Sequence, residues 1–200
     1  MNHTLPLPAP ARRVRRIVLV GLAIAGVVIA APGVRRLFVA AAPPVTALGV
    51  ADGVVPDGAP VSVWDDEVPA VGKLDADLLD ALRRAAKAAE ADGVRLRVNS
   101  GWRSPEYQEE LLRRAVARHG SLEKAARWVA TPETSPHVAG EAVDIGPARA
   151  AAWLSAHGAA YGLCQIYRNE PWHYELRPDA VRRGCPPMYP DPSKDPRMRR

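Results

Sequence analysis

Ser135-Pro136-His137-Val138-Ala139-Gly140-Glu141-Ala142-Val143-Asp144 carries a histidine and an aspartate from a loop into the start of a short apolar strand. Further on, Glu170-Pro171-Trp172-His173-Tyr174 adds a second histidine, with a glutamate three residues before it. Two imidazoles and one carboxylate are a common catalytic zinc set, because three protein ligands leave a fourth position open for water or substrate. A nearby glutamate can then act as general base, since the metal lowers the pKa of its water from about 15.7 toward about 7. The two segments therefore read as a mononuclear zinc site of a hydrolase, with His137, Asp144 and His173 as ligands and Glu170 as base.

This is not the helical zinc motif, in which two histidines four apart share one helix face. Pro171, between Trp172 and Glu170, disfavours a helix interior, and the aromatic neighbours favour an extended chain. On a strand His173 and Glu175 share a face, whereas Glu170 is an odd step from His173 and points away. A turn or bulge at Asn169 to Pro171 is therefore expected, aiming Glu170 back toward the site. The other histidines have ordinary explanations. His3 lies in the N-terminal tail, and His119 and His157 each precede a glycine at the end of a helical pattern, where a cation suits the helix dipole.

Working outward, Val94, Leu96 and Val98 alternate with Arg95, Arg97 and Asn99, which predicts a half-buried strand ending at Ser100-Gly101-Trp102-Arg103. Before it, Leu74, Leu78, Leu82, Ala85 and Ala89 mark one face of a helix over 74–91, closed by Gly93. After it, Ser104 caps a helix with Pro105 at its first position and Gly120 past its end. Shorter helices over 122–128 and 148–157, and strands over 142–145, 163–167 and 172–176, complete an α+β layout. That layout is a small, mainly antiparallel sheet with flanking helices around the zinc site. The three motif blocks fall on strand ends and loops, where sites usually sit.

Taken together, three ordered blocks carry a resemblance. Ser100-Gly101-Trp102-Arg103-Ser104 with Gln108, then Ser135-x-His137-x-x-Gly140-x-Ala142-x-Asp144, then Glu170-Pro171-Trp172-His173-Tyr174, resemble the zinc D-alanyl-D-alanine carboxypeptidases and dipeptidases, including the vancomycin-resistance type. The resemblance implies His137, Asp144 and His173 as ligands of one zinc ion and Glu170 as general base and acid. It implies Arg103 as the group that holds the scissile carbonyl, where a guanidinium facing developing negative charge is worth several kcal/mol, about 3. Ser135 and Gln108 are implied as substrate-binding residues; Ser135 has the alternative of bonding its own loop backbone.

The first forty residues differ in kind from the rest. Arg12, Arg13, Arg15 and Arg16 end a basic tail over 1–16, expected to be cytoplasmic, and precede an uncharged apolar run, Ile17 to Val34. A run of about eighteen apolar residues suits one membrane-spanning anchor, and the preceding arginines predict an inside N-terminus with the remainder exported. A cleaved signal sequence followed by secretion is the alternative. Residues 35–68 read as a linker and extended arm, with Val61-Ser62-Val63-Trp64 as a candidate strand, 69–183 as the catalytic domain, and 184–200 as a disordered proline-rich tail.

Six of the 27 basic residues and none of the 22 acidic ones precede residue 40, so the remainder holds 21 against 22 and carries a formal charge of −1. The overall +5 thus belongs to the membrane-flanking arginines and gives no reason to expect a nucleic-acid partner. Cys164 and Cys185, an even pair in an exported domain, predict a disulfide, with two unpaired thiols as the alternative.

The expected activity is hydrolysis of the terminal D-Ala-D-Ala bond of peptidoglycan stem peptides. The alternatives are a wall endopeptidase of the same metal architecture and a non-catalytic zinc-containing wall-binding module. Glu170 and Arg103 favour an enzyme, because a pure binder needs neither a base nor an oxyanion clamp. The loops over 121–134 and 61–73 are the expected walls of the specificity pocket.

Overall fold

Antiparallel pairing organises the molecule. The computed structural model describes residues 47–56 and 58–199. The basic tail, the apolar run over 17–34 and His3 lie outside the described residues, and no helix among those described is long and apolar enough to cross a membrane. Five strands form one sheet: β1 (Val61–Ser62), β2 (Arg97–Ser100), β3 (Ala142–Gly146), β4 (Leu163–Gln165) and β5 (His173–Leu176), in the order β1-β2-β3-β5-β4. All neighbours run antiparallel. With flanking helices this is the α+β architecture expected.

The helices are α1 (Pro69–Gly72), α2 (Ala76–Ala91), α3 (Pro105–His119), α4 (Leu122–Ala125), α5 (Ala148–His157) and α6 (Ala180–Arg183). Asp75 caps α2 by accepting hydrogen bonds from the backbone N–H groups of Asp77 and Leu78, so the helix starts two residues later than the apolar period suggests. Its predicted face is buried: Leu78, Leu82, Ala85 and Ala89 pack with Val98, Val143, Ile145, Leu154 and Tyr174 into the main core. Burial of a leucine such as Leu82 contributes about 2 kcal/mol, and truncating it to alanine costs about 2 to 5 kcal/mol. α3 has the predicted ends, with the Ser104 hydroxyl accepting from Tyr107 N–H and Gly120 in the left-handed region at φ 82°.

The ordered unit is wider than 69–183 at both ends. On the N-terminal side, part of the expected linker belongs to it: β1 pairs with β2, Val63 is buried, and Ser104 N–H donates to the Asp52 carbonyl at 2.9 Å. On the C-terminal side, the expected disordered tail is folded. Tyr189 pairs with the chain at Ile166 to Arg168, and one-turn 3-10 helices follow at Pro192–Lys194 and Pro196–Arg199. Asp191 and Asp195, polar by composition, are 3% and 0% exposed. Composition treats such charges as solvated; here arginines neutralise them, Arg127 on Asp191 and Arg197 on Asp195.

Cys164 and Cys185 are disulfide-bonded, joining β4 to the segment after α6. A bridge spanning 21 residues stabilises by about 3 kcal/mol in the chain-entropy account. The closed loop contains both Glu170 and His173.

Candidate active site

Register builds the site. Asp144 on the central strand β3 is the direct cross-strand partner of His173 on β5 and of Ser100 on β2. Two of the three sequence-predicted ligands are thus juxtaposed by sheet pairing alone. The β2–β3 register shifts between Val98 and Ser100, an irregularity of the kind that re-aims side chains at sheet ends. Beyond it the chain turns through Gly101 into Arg103.

His137 arrives from the loop before β3. That loop passes Gly140 at φ 76°, and a Cβ there would lie 2.6 Å from the Lys73 carbonyl oxygen, so both conformation and space demand glycine. Gly101 is fixed by close approach, since a Cβ would sit 1.9 Å from the Ala70 carbonyl oxygen. The Gly101 carbonyl accepts from His137 Nδ1 at 2.8 Å. With Nδ1–H so used, Nε2 of His137 turns its lone pair toward Asp144 Oδ1, 3.5 Å away. His173 is used the other way round: Nε2 donates to Glu175 Oε1 at 3.2 Å and Nδ1 faces Asp144 Oδ1 at 3.2 Å.

These three donor atoms lie within 4.8 Å of one another. Metal bonds of about 2.0 to 2.2 Å in a tetrahedral shell place neighbouring ligand atoms roughly 3.4 Å apart, so the set fits one metal ion. The outer hydrogen bonds are the kind that orient ligating imidazoles. Asp144 is oriented too, because its second oxygen, Oδ2, accepts from Arg103 Nη2 at 2.9 Å and leaves Oδ1 for the ion.

Glu170 reaches the same place by the turns expected of it. Turns at Arg168–Asn169 and Pro171–Trp172 bracket it, and its Oε2 lies 4.0 Å from His173 Nδ1. Arg103 is held by three acceptors: Ser100 Oγ on Nε at 2.8 Å, Gln108 Oε1 on Nη1 at 3.1 Å, and Asp144 on Nη2. Gln108, expected at the substrate, uses both ends of its amide within the protein, since its Nε2 donates to the Ala130 carbonyl at 2.9 Å. It lines the cleft and, through these bonds, fixes Arg103. Ser135 differs: its hydroxyl is buried, lines the cleft and has no hydrogen-bond partner among the described residues. His119 stacks on Trp128, and His157 stacks on Trp153, so neither joins the site.

Electrostatics sorts these groups. Burial, with Arg103 nearby, lowers the His137 pKa and keeps the imidazole neutral. For Asp144, burial opposes ionisation, but the two histidines and Arg103 outweigh it and hold the carboxyl well below its ordinary range. Burial also opposes charge on His173, yet hydrogen bonds and charges from Asp144 and Glu175 push it up to about 9 in the metal-free protein. Burial raises Glu170 to about 7, with the Asp144 charge adding to the effect.

The cleft above these groups has a volume of about 250 Å³. Of the two loops expected to wall it, 121–134 contributes Trp128, Val129 and Ala130, while 61–73 contributes nothing. The C-terminal segment supplies Pro192 and Met198 instead. Sequence reading missed this wall and the buried Glu175 behind His173; the alternation that puts Glu175 on the His173 face was its one available signal.

Fold and site together define two histidines and an aspartate that fit one metal ion, with a buried glutamate and a fixed guanidinium beside them, on the inner strands of an antiparallel sheet. Residues 72–179 match the family VanY: D-alanyl-D-alanine carboxypeptidase, and this chain belongs to that family. A D-alanyl-D-alanine carboxypeptidase of Enterococcus faecalis is 32% identical over 127 aligned positions, covering 51% of this chain and 47% of the relative. The chain thus spans about half the length of that relative. Among solved structures, the vancomycin-resistance D,D-pentapeptidase VanY in complex with Zn(II) is 31% identical, covering 52% of this chain and 72% of that one, with a TM-score of 0.49. VanYB in complex with D-alanine-D-alanine is 30% identical over 52% and 71% of the two chains, also at 0.49.

Proposed function

We propose that this protein is a zinc-dependent D,D-carboxypeptidase that hydrolyses the terminal D-Ala-D-Ala bond of peptidoglycan stem peptides. The observation that carries the reading is the convergence of His137, Asp144 and His173 on one point beside Glu170, within the stretch matched to the family. His137 Nε2, Asp144 Oδ1 and His173 Nδ1 would hold the zinc, which supplies Lewis acidity and a water of lowered pKa.

Glu170 takes a proton from the attacking water as its oxygen adds to the amide carbon. It then returns that proton to the leaving nitrogen as the C–N bond breaks, releasing D-alanine and a shortened peptide. A carboxylate near pH 7 by burial suits both transfers, because general catalysis is most effective when the group's pKa lies near the working pH. Arg103 provides fixed positive charge where the carbonyl oxygen becomes negative, with its three acceptors removing any need to reorganise. Ser135 brings to the same cleft a buried hydroxyl that has no partner among the described residues, and would donate to the substrate.

The apolar run over 17–34 and the disulfide support an exported domain, tethered to the membrane or released by cleavage. The test is D-alanine release from a stem pentapeptide ending in D-Ala-D-Ala, with and without zinc, beside Glu170→Ala. Zinc-dependent release that disappears in the variant is expected. Cleavage of intact peptidoglycan without D-alanine release would replace this reading with an endopeptidase.

A further inference from the structure

Behind His173, on the side away from the cleft, lies a charged cluster that the reaction does not use. Glu175 is 1% exposed and receives two guanidinium groups from different parts of the chain. Arg177, its neighbour in sequence, donates to Oε2 alone, at 2.6 Å. Arg197, from the folded C-terminal segment, spans both oxygens: Nη1 to Oε2 at 2.7 Å and Nη2 to Oε1 at 3.1 Å. Oε1 is the oxygen that accepts from His173 Nε2.

A single donor leaves a carboxylate free to rotate about its Cγ–Cδ bond, whereas a two-pronged guanidinium fixes its plane. Of the two guanidinium groups, Arg197 is therefore the one that determines where the oxygen facing His173 sits. Arg197 is held in turn by Asp195, which accepts at its Nε and is itself bonded by the Tyr167 hydroxyl at 3.1 Å. The ring of Tyr167 lies 5.0 Å from that of His173 and lines the cleft. Pro192 and Met198 on either side of this anchor form part of the cleft wall.

We propose that Arg197 is a positioning residue of the metal centre, orienting His173 through Glu175, and that it ties the C-terminal segment into the site. This rests on the reading of His137, Asp144 and His173 as metal ligands. Partners one step behind the ligands typically change metal affinity by about 10- to 100-fold.

The test measures zinc affinity of the full chain by competition with a chromophoric chelator, and the visible spectrum of its cobalt(II) form, for native protein, Arg197→Met, Arg197→Lys and Arg177→Met. Arg197→Met, one step further from the ion than Glu175, should bind zinc about tenfold more weakly, the lower end of that range, and shift the cobalt spectrum. Arg197→Lys, which cannot span two oxygens, should fall between it and native, and Arg177→Met should stay nearer native. Native affinity and spectrum in Arg197→Met would overturn the proposal, as would an equal loss in Arg177→Met. If Arg197→Met does not fold, Arg197→Lys decides, and native affinity and spectrum there overturn it. Failure of the native chain to bind zinc would instead overturn the metal-site reading.

Discussion

Glu170 and Glu175 sit five residues apart on either side of His173, and both are buried, at 7% and 1% exposure. Their acidities diverge. Burial pushes Glu170 up to about 7, since the charges of His173 and Arg103 offset it only in part and no guanidinium among the described residues bonds to it. Burial acts on Glu175 in the same direction, but His173, Arg197 and Arg177 overcome it and hold the carboxyl far below its ordinary range. A buried carboxylate left short of compensation remains able to exchange a proton near neutrality. One fully paired becomes a fixed negative charge that can only orient its neighbours. The same residue type thus stands as a proton-exchanging group beside the cleft and as a fixed charge behind the His173 ring, and the difference lies in how many cations bond to it.

That contrast can be broken most severely at Glu170. Glu170→Gln keeps the shape but removes the base, and should lower kcat by about 10²- to 10⁴-fold while zinc stoichiometry, measured by elemental analysis, stays at the native value. Glu175→Gln should do the converse. It leaves Arg177 and Arg197 short of a buried partner and should cost about 3 kcal/mol of stability in urea unfolding, with weaker zinc binding and a smaller direct effect on the chemical step.

A third test uses His173, the residue between them. In the metal-free protein its pKa is raised to about 9, so at pH 7 it carries a proton that an incoming ion must displace. Zinc binding should release about one proton at pH 7, and affinity should climb about tenfold per pH unit toward pH 9, as read by calorimetry in buffers of differing ionisation heat. Glu175→Gln should reduce that release.

The smallest effect is expected at Asp195. Burial opposes its ionisation, but hydrogen bonds and charge from Arg197 lower its pKa below the ordinary value. A depressed carboxylate contributes stability that is fully present above its unfolded pKa of about 3.9 and is lost as pH falls through the folded value. Asp195→Asn should therefore be less stable than native by about 1 kcal/mol at pH 7, with the gap closing below about pH 4 in unfolding measurements.

The site was largely legible because its chemistry depends on residue types at short spacings. His137 to Asp144 and Glu170 to His173 are local patterns, and the proline and aromatic residues around them already indicated extended chain and a turn. Helices with strong caps were equally readable: Ser104, Pro105 and Gly120 fix α3 by backbone hydrogen bonding that needs no distant partner. The C-terminal segment was misread for the opposite reason. Its prolines and charges describe a chain that cannot bury apolar surface, and it is ordered instead by ion pairs to Arg127 and Glu175, which lie 64 and 22 residues away. The resemblance implies Gln108 at the substrate, and it does line the cleft; its bonds to Arg103 and the Ala130 carbonyl emerge only once α3 packs beside the 121–134 loop.

The sequence by itself determined the candidate ligand types, the cysteine pair and the elements that carry them, since these follow from side-chain chemistry and local backbone preference. Only the tertiary structure decided which nitrogen of each histidine faces the site, which glutamate stays reactive, and that the last residues of the chain wall the cleft. Each of those depends on distances between groups far apart in sequence, and burial and pairing, which set the energy of a charge, exist only after the chain has folded.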